Sequence, residues 1–129
     1  MPLYRCAIRA GLSSEAQRAR IAKEVVRIHC EVTGAPASFV HAFFSELPAA
    51  ELPEGQLAFV LGSIRSGRNA GQKQRIASEL RASTADALGC DPAEVSVATV
   101  DLPARWVMEG GAILPEPGDE AEWLARHQR

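Results

Sequence analysis

Apolar positions alternate through residues 2–9, where Pro2, Tyr4, Cys6 and Ile8 share one side. That period of two predicts a β-strand. Ser14-x-x-Gln17 follows with the spacing of a capping box. Behind it Ile21, Val25, Ile28 and Val32 recur at helical spacing until Gly34 supplies a stop. "SFVHAFFSEL" then reads as a mostly apolar second strand ending before Pro48. The same order recurs further on. "LAFVLGSI" at 57–64 predicts a third strand, Asn69-x-x-Gln72 caps a second helix to about Leu88, and "VSVATVDL" predicts a fourth strand.

The recurrence extends to residue identities. "AIRAG" at 7–11 lies over "SIRSG" at 63–67, so Ile8, Arg9 and Gly11 fall on Ile64, Arg65 and Gly67. At nearly the same offset "RIAKEV" at 20–25 falls on "RIASEL" at 75–80, Gly34 on Gly89, and Leu47-Pro48-Ala49 on Leu102-Pro103-Ala104. Two copies are too few for a solenoid, and they define a duplicated supersecondary unit. Each unit is a βαβ, whose two strands run parallel. The expectation is an α/β single domain over 1–129, with repeats 2–49 and 57–104 and a tail 105–129. Two fused βαβ units form a four-stranded mixed sheet with two helices on one face. Residues 47–56, with Pro48, Pro53 and Gly55, link the halves.

The other sheet face is expected to carry Tyr4, Ile8, Val60 and similar side chains. A bare apolar face of that size marks an interface, so a homo-oligomer is expected. The tail holds both tryptophans and belongs to neither repeat. It is expected either to wrap a neighbour or to close the mouth of a pocket.

Charge and cysteine usage narrow the function. A formal net charge of −2 argues against a chain that works by gripping nucleic acid or an anionic membrane. No apolar run reaches the ~18 residues of a membrane span, and no secretory signal is read at the start. Cys6, Cys30 and Cys90 show neither a CxxC nor a metal-ligand spacing. They read as reduced thiols of a cytoplasmic protein and as small core hydrophobes, with no metal site. His41 and His127 have no partner pattern and are assigned no role.

Pro2 poses the chemical question. At the first residue of a strand, proline is tolerated because no ladder donor is needed there. It is also small enough for aminopeptidases to remove Met1, which would leave Pro2 as a terminus with a free secondary amine. Arg65 and Arg68 stand just before the helix capped at Asn69, where unpaired N–H groups already favour an anion. A guanidinium can hold a carboxylate with two hydrogen bonds. Each residue also has an ordinary reading: an edge-strand proline, two solvated loop arginines, a core-edge His29 and an exposed loop acid at Glu109.

A duplicated βαβ unit with proline at position 2 resembles the tautomerase superfamily. Within it the chain is similar to the cis-3-chloroacrylic acid dehalogenase group, on Pro2, on His29 of "RIHCEVTG", on "IRSGRNAGQK" and on the tail "LPEPGDEAEW". The resemblance runs from Pro2 to about Trp123. It implies the tautomerase/MIF-like fold, as in a duplicated 4-oxalocrotonate tautomerase, and a homotrimer. It implies that Pro2 is the catalytic amine and that His29, Arg65 and Arg68 hold a small carboxylate substrate. Glu109, in "WVMEGG", corresponds to the carboxylate that helps activate water in the dehalogenases. The tyrosine that should accompany it would fall at Ala98, and Tyr4 is the chain's only tyrosine.

A free α-amine titrates near ~8. An arginine ~6 Å away at an effective dielectric of ~20 disfavours the ammonium by ~2.8 kcal/mol, about two pK units. Two such arginines leave Pro2 largely neutral at pH 7, a base ready to move a proton. The leading expectation is a cofactor-independent tautomerase of small 2-hydroxy-2-enoates. A hydrolytic dehalogenase or hydratase of cis-3-haloacrylates is the alternative for which Glu109 argues. A non-catalytic binding protein on the same scaffold is the alternative from another class.

Overall fold

The computed structural model describes residues 2–127. Met1 lies outside them, and with it the expectation that Met1 is removed. The chain runs β1 (Leu3–Arg9), α1 (Glu15–Thr33), β2 (His41–Leu47), β3 (Ala58–Arg65), α2 (Ala70–Leu88) and β4 (Val95–Leu102). The tail adds a short hairpin, β5 (Met108–Glu109) and β6 (Ala112–Ile113), and a helix, α3 (Glu120–His127). The strands stand in the order β2-β1-β3-β4. Each repeat pairs its own two strands in parallel, and β1 and β3 join the repeats antiparallel. The expected fold class is the observed one.

Local chemistry explains the elements. Both capping boxes are complete: the Ser14 and Asn69 side chains accept from the backbone N–H of Gln17 and Gln72, whose side chains reach back. Both helices stop on a glycine in the left-handed region, Gly34 at φ 75° and Gly89 at φ 70°. The strands differ slightly from expectation at their starts. Pro2 precedes β1, and a 3-10 turn at Ala37–Phe39 delays β2 to His41.

The core corrects the expectation for the sheet faces. Tyr4, Ile8 and Val60 lie under the helices, in one cluster with Ile21, Val25, Ile28, Ile76 and Leu80. The reason is the charge on the alternate row of β1. Arg5 and Arg9 cannot be buried beneath apolar helices, so they take the open face and Tyr4, Cys6 and Ile8 take the core. Burying such a side chain contributes about 1.5–3 kcal/mol, which fixes the register. By strand alternation the helix-free face carries Leu3, Phe43, Phe59, Leu61, Ala98 and Val100, with Phe43 and Val100 exposed. The linker lies against this face, since Glu51, Leu52 and Pro53 line one cavity with Arg5, Ala7, Phe59 and Leu61.

Gly62 is required by a close approach. It sits opposite Tyr4 across the β1–β3 ladder, and a Cβ there would lie 2.5 Å from the tyrosine ring. The three cysteines are free, with Cys6 buried and its thiol pushed up to about 12 by burial. No helix among the described residues is long and apolar enough to cross a membrane.

Candidate active site

The candidate residues gather where strand ends, the C-terminal end of α1 and the tail meet. Pro2 is buried just before β1, and its carbonyl accepts from the His41 N–H at 2.9 Å. His29 lies in the last turns of α1 and is 2 % exposed. Its Nδ1 is 2.7 Å from the Tyr4 hydroxyl. Arg65 ends β3 and Arg68 closes the loop before α2, so both stand at the α2 N-terminus. Arg68 Nη1 donates to the Thr33 carbonyl at 3.2 Å, and Gln72 Nε2 donates to the Val32 carbonyl at 3.2 Å. Unpaired carbonyls at the end of α1 are thus met by donors from the start of α2.

Sequence reasoning missed one residue, Glu120. Its Oε1 accepts from Arg65 Nη2 at 2.9 Å and from Arg68 Nη2 at 3.4 Å, while Oε2 accepts from the Gly118 N–H at 2.8 Å. Burial pushes this carboxyl up, and hydrogen bonds from its own backbone, Arg65 and Gly118 outweigh it, so its pKa ends below the ordinary value. Glu120 stands among Glu116, Asp119 and Glu122 and reads as one more solvated acid. The available signal was two arginines in one pocket, which require a counter-charge when buried.

Arg65 is almost fully enclosed. Its Nη1 donates to the Pro115 carbonyl at 2.6 Å, and its guanidinium lies 5.3 Å from the Phe39 ring centre. Phe39 in turn meets Trp123 edge-on at 5.3 Å and forms a small second core with Val107 and Leu114. Gly67, at φ 116°, leaves room for Pro117 against the loop. The tail therefore packs on its own chain over the two arginines.

Glu109 sits on β5, half-buried, with its Oε2 3.6 Å from His41 Nε2. His41, which had no expected role, touches both Pro2 through its backbone and Glu109 through its ring. Ala98 stands in mid-β4 opposite Leu61. Leu12 and Ala58, the repeat counterparts of Arg68 and Pro2, pack against or within the core. A cavity of about 560 Å³ between α2 and β4, lined by Gln56, Gln74, Ser78 and Arg81, holds none of the candidate residues.

Comparison with known proteins fits this geometry. The structure matches that of N1, a member of the cis-3-chloroacrylic acid dehalogenase (cis-CaaD) family, with 35% identity and a TM-score of 0.88, over 96% of this chain and 91% of N1. The chain belongs to the cis-3-chloroacrylic acid dehalogenase family. With that family it belongs to the tautomerase superfamily. Native Ps01740 matches at 39% identity and TM-score 0.76, over 84% of this chain and 100% of its own. The R7 fused 4-OT wild-type asymmetric trimer shares the fold at 22% identity and TM-score 0.76, over 87% of this chain and 95% of its own. No protein-family model and no curated protein sequence matches the chain.

In this member of the cis-3-chloroacrylic acid dehalogenase family the histidine is electrostatically unusual. Burial, with Arg68 and Arg65 beside it, lowers the His29 pKa from 6.5 to about 3. The unfolded chain binds that proton near 6.5, so between about 3 and 6.5 it binds more protons than the folded chain. Stability from this group is complete above 6.5 and falls as pH drops through the window. The shift corresponds to on the order of 5 kcal/mol. Urea midpoints are expected to fall more steeply between pH 7 and 4.5 in the wild type than in His29→Gln. Equal slopes would show that His29 titrates normally.

Proposed function

We propose that the protein is a cofactor-independent tautomerase that moves a proton between enol and keto forms of a small 2-hydroxy-2-enoate through the Pro2 amine. One observation carries this reading. The buried Arg65 and the half-buried Arg68 share a single carboxylate, Glu120, beside a histidine held neutral, so the cluster keeps a surplus positive charge. A buried surplus charge is costly unless an anion meets it, and a substrate carboxylate supplies one. Arg68, whose bonds are the longer ones, has the donors to turn toward it.

The same surplus charge disfavours an ammonium at Pro2. With Met1 removed, the neutral ring nitrogen takes the proton from the enol oxygen, the electrons of the broken O–H bond form C=O, and the C=C pair shifts to the carbon that will bind the proton. The proton then returns at carbon, so nothing is consumed. With the tail packed over the arginines, charge interactions at the site act in a lower dielectric than water. Glu120 holds that tail by its bonds to the arginines.

A second reading rests on Glu109 and His41. Their 3.6 Å contact holds a half-buried carboxylate where His41 also meets Pro2, an arrangement suited to activating water for a 3-haloacrylate. Ala98 favours the first reading, because no phenol stands at that position. Tyr4 does not replace it, being fully buried against His29. Phenylenolpyruvate ketonisation and halide release from a cis-3-haloacrylate, measured side by side, separate the two. Ketonisation is expected to dominate by at least about 10²-fold, and Ala98→Tyr is expected to narrow that gap.

We propose a homotrimer for the assembly, as in the fused 4-OT trimer. The helix-free face with Phe43 and Val100, and the exposed Trp106, Met108 and Ile113 of the tail, supply apolar contact area. Sedimentation at micromolar concentration is expected to show three copies, and a monomer would contradict this packing.

A further inference from the structure

We propose that Tyr4 is a positioning residue that fixes His29 as the Nε2–H tautomer, so that His29 serves the site as a neutral hydrogen-bond donor. The role toward a substrate carboxylate rests on the tautomerase reading; the tautomer itself does not.

The geometry leaves the phenol little freedom. Tyr4 and His29 are 0 % and 2 % exposed, their rings meet edge-on at 5.6 Å, and Tyr4 Oη lies 2.7 Å from His29 Nδ1. Gly62 provides the space for the ring on β3, since any Cβ there would collide with it. Among the described residues Nδ1 is the hydrogen-bond partner of Tyr4 Oη.

The direction of the bond follows from what each choice leaves unmade. If Nδ1 carried the proton and donated, the buried phenol proton would have no acceptor, at a cost of about 1–3 kcal/mol. If Tyr4 donates, the bond is satisfied and Nδ1 is the acceptor. The cheaper arrangement is favoured by about fivefold to a hundredfold, since 1.4 kcal/mol is a factor of ten. Burial supports it on both sides, pushing the phenol pKa up and the imidazole pKa down to about 3. A neutral ring that accepts at Nδ1 carries its proton at Nε2.

Nε2 is the end that faces the chemistry. It has no hydrogen-bond partner among the described residues. Nε2–H is thus the end left for the anion site, where the Arg68 and Arg65 charges act on the ring. It adds a donor to the anion site without adding charge. His29 neither gives nor takes a proton during turnover, and Pro2 keeps that task alone.

The test is long-range ¹H–¹⁵N correlation of the histidine side chains in ¹⁵N-labelled protein, with His29 assigned by its loss in His29→Gln. The wild type is expected to show Nε2 protonated and Nδ1 bare from pH 6 to 8. Tyr4→Phe is expected to lose that preference, and KM for phenylenolpyruvate should rise about tenfold with kcat nearly unchanged. A protonated Nδ1 in the wild type, an imidazolium in that range, or an undisturbed Nε2–H form in Tyr4→Phe would overturn the proposal. If Tyr4→Phe fails to fold, the wild-type spectrum decides alone. The spectrum needs no substrate, so an inert enol would refute the tautomerase reading and leave the tautomer result standing.

Discussion

A form of the protein carrying one extra residue ahead of Pro2 is expected to lose at least about 10³-fold in kcat/KM for enol ketonisation, within the range a general base contributes. An amide nitrogen has its lone pair in resonance with the carbonyl and cannot take a proton. The fold should be untouched, because the Pro2 carbonyl still accepts from His41 and β1 begins only at Leu3. Pro2→Ala, by contrast, leaves a primary amine at the same place and should retain a measurable fraction of activity. Thermal melting checks the folded state in both. Full activity in the extended form, with its extra residue confirmed by intact mass, would remove Pro2 from the mechanism.

The second large effect separates the two arginines. Arg65→Ala strips Glu120 of its shorter bond, leaves the Pro115 carbonyl without its donor and empties the space over Phe39. Removing one partner of a buried pair costs about 3–5 kcal/mol. For a chain of this size that lowers Tm by roughly 10–20 °C. Arg68→Ala breaks only the bonds at 3.2 and 3.4 Å, so the loss should appear mainly in catalysis. We expect kcat/KM for a carboxylate substrate to fall by about 2–4 kcal/mol equivalent, with Tm changed far less. Arg9, the repeat counterpart of Arg65, is exposed, and Arg9→Ala should do little to either. Equal losses of Tm in Arg65→Ala and Arg68→Ala would show that neither arginine is kept for the substrate.

Much of the fold was legible because it is written locally and twice. Ser14-x-x-Gln17 and Asn69-x-x-Gln72 are complete boxes, and Gly34 and Gly89 end both helices as expected. The choice of sheet face was not legible from alternation alone. A period of two says which residues share a face, and the burial of Tyr4 rather than Arg5 depends on which side the helices take. The tail helix was missed for a related reason. Its register is set by Glu120 meeting Arg65 and by Trp123 meeting Phe39, contacts between residues far apart in sequence.

The candidate site was legible in parts. Pro2, His29, Arg65 and Arg68 came from the motifs, and the structure brings the histidine and both arginines into one buried cluster. Glu120 escaped notice as an acid among acids, and Tyr4 was expected on the helix-free face, where it could not have met His29. Only the fold shows that one neutralises the arginines and the other bonds the histidine. Glu109 and His41, far apart in sequence, meet because β5 folds back beside the start of β2.

The central claim is that Pro2 acts as a neutral base beside surplus positive charge. Its most direct test is a titration of the Pro2 nitrogen by ¹⁵N NMR, set beside the pH profile of kcat/KM for ketonisation. The account predicts a Pro2 pKa below that of an ordinary amino-terminal proline, and a rate that rises with pH on that same pKa. An ordinary or raised Pro2 pKa, or a rate that rises as Pro2 gains its proton, would contradict it.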